Sequence, residues 1–224
     1  MLYVYAFVRG EPSGRLPRGR RGERLRLVAC PGGLAVVGDV ERPPSPTVAH
    51  VRIHDRVVSG LARRFPAILP ARFGSLLPGE AALAAALADR AEGISAALDL
   101  VEGRAQMTLR LYGRAAPLPA PGEVHPALGS GTRYLRGRMS AWRAATTVPE
   151  MAPLRPALAA LVVAERVERH RTPPLIATVY HLVERGSAKT YLAAVAAASR
   201  DLVDVRARVS GPWAPYAFAP DAAS

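Results

Sequence analysis

Apolar positions along this chain switch between two spacings, and the switches mark out its elements. Leu2 to Val8 is β-branched and aromatic throughout and predicts an opening strand. Leu25 to Cys30 and Leu34 to Val40 predict a hairpin closed by Pro31 to Gly33, because glycine supplies the positive φ that tight turns use. After Thr47, a candidate N-cap, Val51, His54, Val58, Leu61 and Phe65 recur at three and four, one apolar face of a helix. Pro66 and Pro70 end that helix and extend the chain. Leu83, Leu87, Ile94 and Leu98 form a second helical stripe, which Gly93 is expected to bend or break. Ala105, Met107, Leu109 and Leu111 then alternate with Gln106, Thr108 and Arg110, the period of a strand with one wet face.

The second half repeats the alternation of types. Thr132 to Ala145 and Leu154 to Arg169 read as helices, the latter striped by Leu154, Leu158, Leu161 and Val162. Leu175 to Val183 reads as a strand, Ser187 as the cap of a helix through Arg200, and Val203 to Val209 as a last strand. The fold class is α+β. Between the halves, 113–131 is rich in Pro and Gly, so the division is 1–113 for an N-terminal domain, 114–130 for a linker and 131–224 for a C-terminal domain.

Composition changes this picture little. A formal charge of +12 points first to nucleic acid or another anionic partner. Of the 30 basic residues, however, only Lys189 is a lysine, which with the abundant Ala, Pro and Gly reflects biased coding more than function. Gly10 to Arg21, with Arg15, Arg18, Arg20 and Arg21, lacks interleaved aromatics for base stacking and reads as a mobile, solvated loop. No apolar run reaches the roughly 18 residues of a membrane span, and no basic leader opens the chain, so a cytoplasmic protein with no membrane contact is expected.

Candidate chemistry is sparse. His50 and His54 stand four apart, a metal-ligand spacing, but no third ligand accompanies them, so no metal is expected. Cys30, the single cysteine, has no histidine partner in view and reads as a small buried strand residue. Phosphate loops, dinucleotide fingerprints and nucleophile elbows are absent. Gly129 to Gly131 before a helix reads as turn geometry. No catalytic residue and no cofactor are predicted.

Three stretches carry a family resemblance. HDRVVSGLARRFPAILPARFGSLLPGEAAL from His54 to Leu83, GTRYLRGRM from Gly131 to Met139 and SGPWAPYAF from Ser210 to Phe218 resemble, in order and spacing, the motifs of the gas vesicle accessory proteins GvpF and GvpL. Ser75, Asp55 and Ala214 depart mildly from the residues common there, and the arginine-rich loop has no counterpart. The resemblance implies an N-terminal mixed sheet-and-helix domain and a C-terminal ferredoxin-like domain with added helices. It also implies a non-enzymatic role in gas vesicle formation, through contact with the hydrophobic shell protein GvpA and other accessory Gvp proteins during assembly or as a minor component at the vesicle. A basic nucleic-acid-binding module is the alternative, carried by charge alone.

The motif residues so marked are His54, Pro70, Arg72, Phe73, Gly74, Tyr134, Leu135, Gly211, Pro212, Trp213, Pro215, Tyr216 and Phe218, as structural or partner-binding candidates. Among them, Arg72 needs carboxylates or carbonyls around its five donors if it lies between apolar neighbours. It either staples the extended segment, with Phe73 filling the core and Gly74 turning, or anchors a partner. Trp213, Tyr216 and Phe218, stiffened by Pro212 and Pro215, either pack on the N-terminal half or face a shell subunit; the first is favoured because aromatics are mostly buried by their own fold.

Overall fold

The computed structural model describes residues 1–114 and 148–220. The helix expected over 132–145, the linker and the candidates Tyr134 and Leu135 lie outside the described residues. Two compact units emerge: Met1–Gln106 with the tail from Trp213, and the described part of Met107–Pro212. The units divide differently from the sequence boundaries. The strand that follows the second helical stripe belongs from Met107 onward to the second unit, and the chain returns to the first unit at Trp213.

In the first unit, β1 (Leu2–Arg9) lies in the middle of a sheet ordered β2 (Leu25–Cys30), β3 (Gly33–Asp39), β1, β4 (Ala67–Pro70), with β5 (Leu76–Leu77) also paired to β1. All of the pairings are antiparallel, and the β1–β3 register shifts between Val4 and Ala6. Burial of nearly every β1 side chain follows from helices on both faces. On one face sits α1 (Val48–Ala62), capped by the Thr47 side chain, which accepts from the His50 backbone N–H. Its buried stripe is His54, Val57, Val58 and Leu61; Val51, expected to be buried, is 44% exposed.

On the other face, α2 (Glu80–Leu87) and α3 (Ala91–Val101) present Leu83, Leu87, Ile94 and Leu98, all buried as expected. The helical stripe is interrupted by a short 3-10 turn at Ala88–Arg90, before Gly93 is reached.

The second unit is a four-stranded antiparallel sheet ordered β7 (Ala164–Arg169), β8 (Leu175–Glu184), β6 (Arg104–Gly113), β9 (Val205–Trp213). Among the described elements, helices α4 (Arg155–Leu158) and α5 (Ala188–Ala198) alternate with these strands in the succession strand, helix, strand, strand, helix, strand. Met107, Leu109 and Leu111 of β6 join Val179, Tyr191 and Val195 in its core. Two expectations fail here. The helix over 154–169 is one short turn of helix followed by strand β7, whose six residues all pair with β8 from Leu182 to Ala177. Gln106 and Thr108, assigned to a wet face, are each only 4% exposed.

Candidate functional site

Four of the described motif residues gather along β1, Pro70 by strand pairing and His54, Phe73 and Gly74 around Tyr3. Pro70 pairs with Ala6, and past β4 the chain turns at Arg72 to Ser75, where both the backbone N–H and the hydroxyl of Ser75 donate to the Arg72 carbonyl. Gly74 takes φ +88, a conformation L side chains avoid, and its N–H donates to the Tyr3 hydroxyl at 3.1 Å. That hydroxyl donates in turn to His54 Nδ1 at 2.9 Å, while His54 Nε2 donates to the Ala71 carbonyl at 3.2 Å. A carbonyl only accepts, so the Nε2–H tautomer is fixed. Phe73 stands edge-on to both Tyr3 and His54, and the Tyr5 ring stacks on the imidazole.

Burial dominates the electrostatics of this knot. His54 is 2% exposed, and burial holds it below the ordinary histidine value, so it is neutral at pH 7. Both ring nitrogens are committed, which leaves no lone pair for catalysis or metal binding. Tyr5 donates to Glu23 Oε1 at 2.5 Å and accepts from the Arg20 N–H, and burial followed by that carboxylate raises its phenol. Glu23 is held below the carboxylate range because donors from Tyr5 and the Arg20 to Glu23 backbone together outweigh its own desolvation. The Arg20 guanidinium lies over the Tyr3 ring.

The arginine-rich segment is therefore pinned, contrary to the solvated loop expected. Tyr5 holds it at Arg20, Arg64 holds it at Arg15, and Leu16 packs on the core. Sequence reasoning missed this because the holding groups, Tyr5, Glu23 and Arg64, are scattered along the chain.

Other candidates fall in distinct places. Arg72 is exposed at the turn. His50 sits one helical turn before His54 on α1, and its Nδ1 donates to the Ser45 carbonyl. Gly211 takes φ +124, Pro212 is exposed, and Trp213 is 43% exposed. Pro215 and Phe218 are buried, Tyr216 donates to Asp55 at 3.2 Å, and the Ala217 N–H donates to Gln106 Oε1 at 2.8 Å. Tyr216 and Phe218 thus pack within the first unit.

Beside the turn, on the α2 face of the sheet, lies an apolar cavity of about 300 Å³ lined by Val4, Phe7, Leu76, Leu83 and Leu87, with Ala86 and Arg90 at its border.

A second buried histidine interrupts, with Thr178, the apolar run of β8, and the sequence assigned it no role. His181 on β8 donates from Nε2 to Glu165 Oε2 at 2.9 Å and accepts at Nδ1 from the Tyr191 hydroxyl at 2.6 Å. Its signal was a polar residue inside an otherwise apolar strand. Tyr191 is fully buried, so this carboxylate, imidazole and phenol chain ends in the core and ties α5 to β7 and β8. Among the described residues no three His, Cys, Asp or Glu side chains converge as a metal site.

Comparisons with known proteins agree with one another. The family described as gas vesicle synthesis protein GvpL/GvpF matches residues 1–220. Gas vesicle protein L of a Streptomyces species is 28% identical over 252 aligned positions, covering 98% of this chain and 92% of that relative. Among solved structures, GvpF from Microcystis aeruginosa superposes with a TM-score of 0.71 at 16% identity, covering 98% of both chains. GvpF from an Anabaena species gives 0.68 at 16% identity, covering 98% of this chain and 95% of the other. At such identity the two structures speak to fold alone.

Proposed function

The chain belongs to the GvpL/GvpF family of gas vesicle synthesis proteins, and from that premise we propose that it acts in gas vesicle assembly by binding the hydrophobic shell protein GvpA, without catalysis, in the cytoplasm. The observation that carries the reading is the apolar cavity beside the Arg72 to Ser75 turn. A partner that buries aggregation-prone surface needs an apolar, partly open receptor on a rigid frame. Here the frame is the β1 sheet, locked on its opposite face by the Tyr3, His54 and Gly74 hydrogen bonds. Phe73 and Arg72 on the same turn are candidate contacts, the arginine as an anchor of the kind enriched at interface centres.

The test is capture of co-expressed GvpA by this protein at low and high salt after nuclease treatment. Salt-tolerant capture is expected, since apolar contact is not screened. Ala86→Glu, an exposed position on the cavity border, is expected to cut capture about tenfold or more with unchanged melting, because it sets a charge against an apolar partner. Capture of nucleic acid alone, lost at high salt, would replace this reading with the basic-module one.

A further inference from the structure

The sheet of the second unit has two faces of opposite character. One holds the apolar core. The other, at the β9 end, carries Arg206 and Arg208 of β9, both exposed, beside Arg110 and Tyr112 of β6. The side chains share a face because positions two apart on a strand point the same way, and the Arg208 guanidinium lies over the Tyr112 ring, 5.7 Å from its centroid. None of these three arginines is ion-paired with a carboxylate among the described residues. A cleft of about 590 Å³ opens at this corner, walled by Tyr112, Arg206, Arg208 and, as its one acidic member, Asp204. Among the described strands, β9 closes this edge of the sheet.

We propose that this corner binds an extended acidic protein segment, running along β9 with carboxylates at alternate positions. Arg206 and Arg208 are two residues apart on a strand, roughly 6.6 Å. An extended partner presents every second side chain at the same interval, so a Glu-x-Glu pattern meets both guanidinium forks, each able to grip a carboxylate through two donors. The edge of β9 offers backbone groups to the same segment. Nucleic acid fits less well. One face of Tyr112 is taken by Arg208, and the other aromatic of this face, Tyr180, donates its hydroxyl to Glu168, a carboxylate that repels phosphate. The inference stands apart from GvpA binding, which concerns the first unit.

The test uses the full chain and three labelled probes: a short peptide of alternating Glu and Thr, the same composition with its Glu residues in one block, and single-stranded oligouridine. Binding is followed by fluorescence anisotropy. The alternating peptide is expected to bind most tightly, to weaken with salt, and to lose about tenfold or more in affinity with Arg206→Gln/Arg208→Gln. Arg166→Gln, on the far edge strand β7, is expected to leave binding unchanged, which separates the corner from general basicity. Arg166, Arg206 and Arg208 are all exposed, and melting curves verify folding. If melting shows the double variant unfolded, the single variant Arg206→Gln carries the same comparison with a smaller expected loss. Equal binding of alternating and blocked peptides, no loss in the folded corner variant, tighter binding of oligouridine, or no peptide binding would each overturn the proposal.

Discussion

His54 shows how one buried side chain couples this fold to pH. Its folded-state value lies below the ordinary histidine value because burial disfavours the charged ring. Above about pH 6.5 the ring is neutral folded or unfolded, and it contributes no pH dependence. As pH falls through that value, the unfolded chain takes up the proton more readily, so stability falls with acidification. The melting temperature is expected to drop between about pH 7 and 5, and the part of that drop due to this ring is expected to vanish in His54→Gln, whose side chain has no proton to gain. Glu23 and Glu165, both held below the carboxylate range, act in a separate window. Their stabilisation is present above about pH 4.5 and is lost below it.

Elements differ in how plainly the sequence announces them. The β2–β3 hairpin, α1 and β8 follow from period and turn chemistry, because each carries its own apolar face. Strand β7 was hidden: AERVER is made largely of good helix formers, and only pairing with β8 makes it extended. Gln106 was misplaced for a related reason, since its amide oxygen is satisfied by the Ala217 N–H, distant in sequence. The loop from Gly10 to Arg24 is the sharpest instance, an element with no periodicity whose order comes from Tyr5, Glu23 and Arg64. Tyr5→Phe removes the donor to Glu23 and the acceptor of the Arg20 N–H together. It is expected to cost about 1 to 3 kcal/mol in urea unfolding and to speed amide exchange across the loop.

At the scale of the whole molecule, the candidate site was half legible. The motifs marked His54, Phe73 and Gly74, and the structure gathers these three around Tyr3, a residue that reads in the sequence as one more strand aromatic. The aromatic tail packs through Phe218, at 1% exposure, and through the Tyr216 hydroxyl. Burial of such a ring is worth roughly 1.5 to 3 kcal/mol. Deletion after Gly211 is therefore expected to lower the melting temperature, with lost hydrogen-exchange protection concentrated in Met1–Gln106, at the other end of the sequence. Unchanged melting would show that the tail is dispensable to the fold.

Because the first unit takes in residues from both ends of the chain, its completion has a place in time as well as in space. Domains ordinarily fold in the order they leave the ribosome, the N-terminal one first. Here the opening sheet and its helices emerge early, while Tyr216, Ala217 and Phe218 emerge only after the whole second unit. A nascent chain can assemble β1 to α3 but cannot finish that half until the second unit has been synthesised. The half that carries the apolar cavity thus reaches its final form only after the second unit has been made, which ties its maturation to the synthesis of the other half.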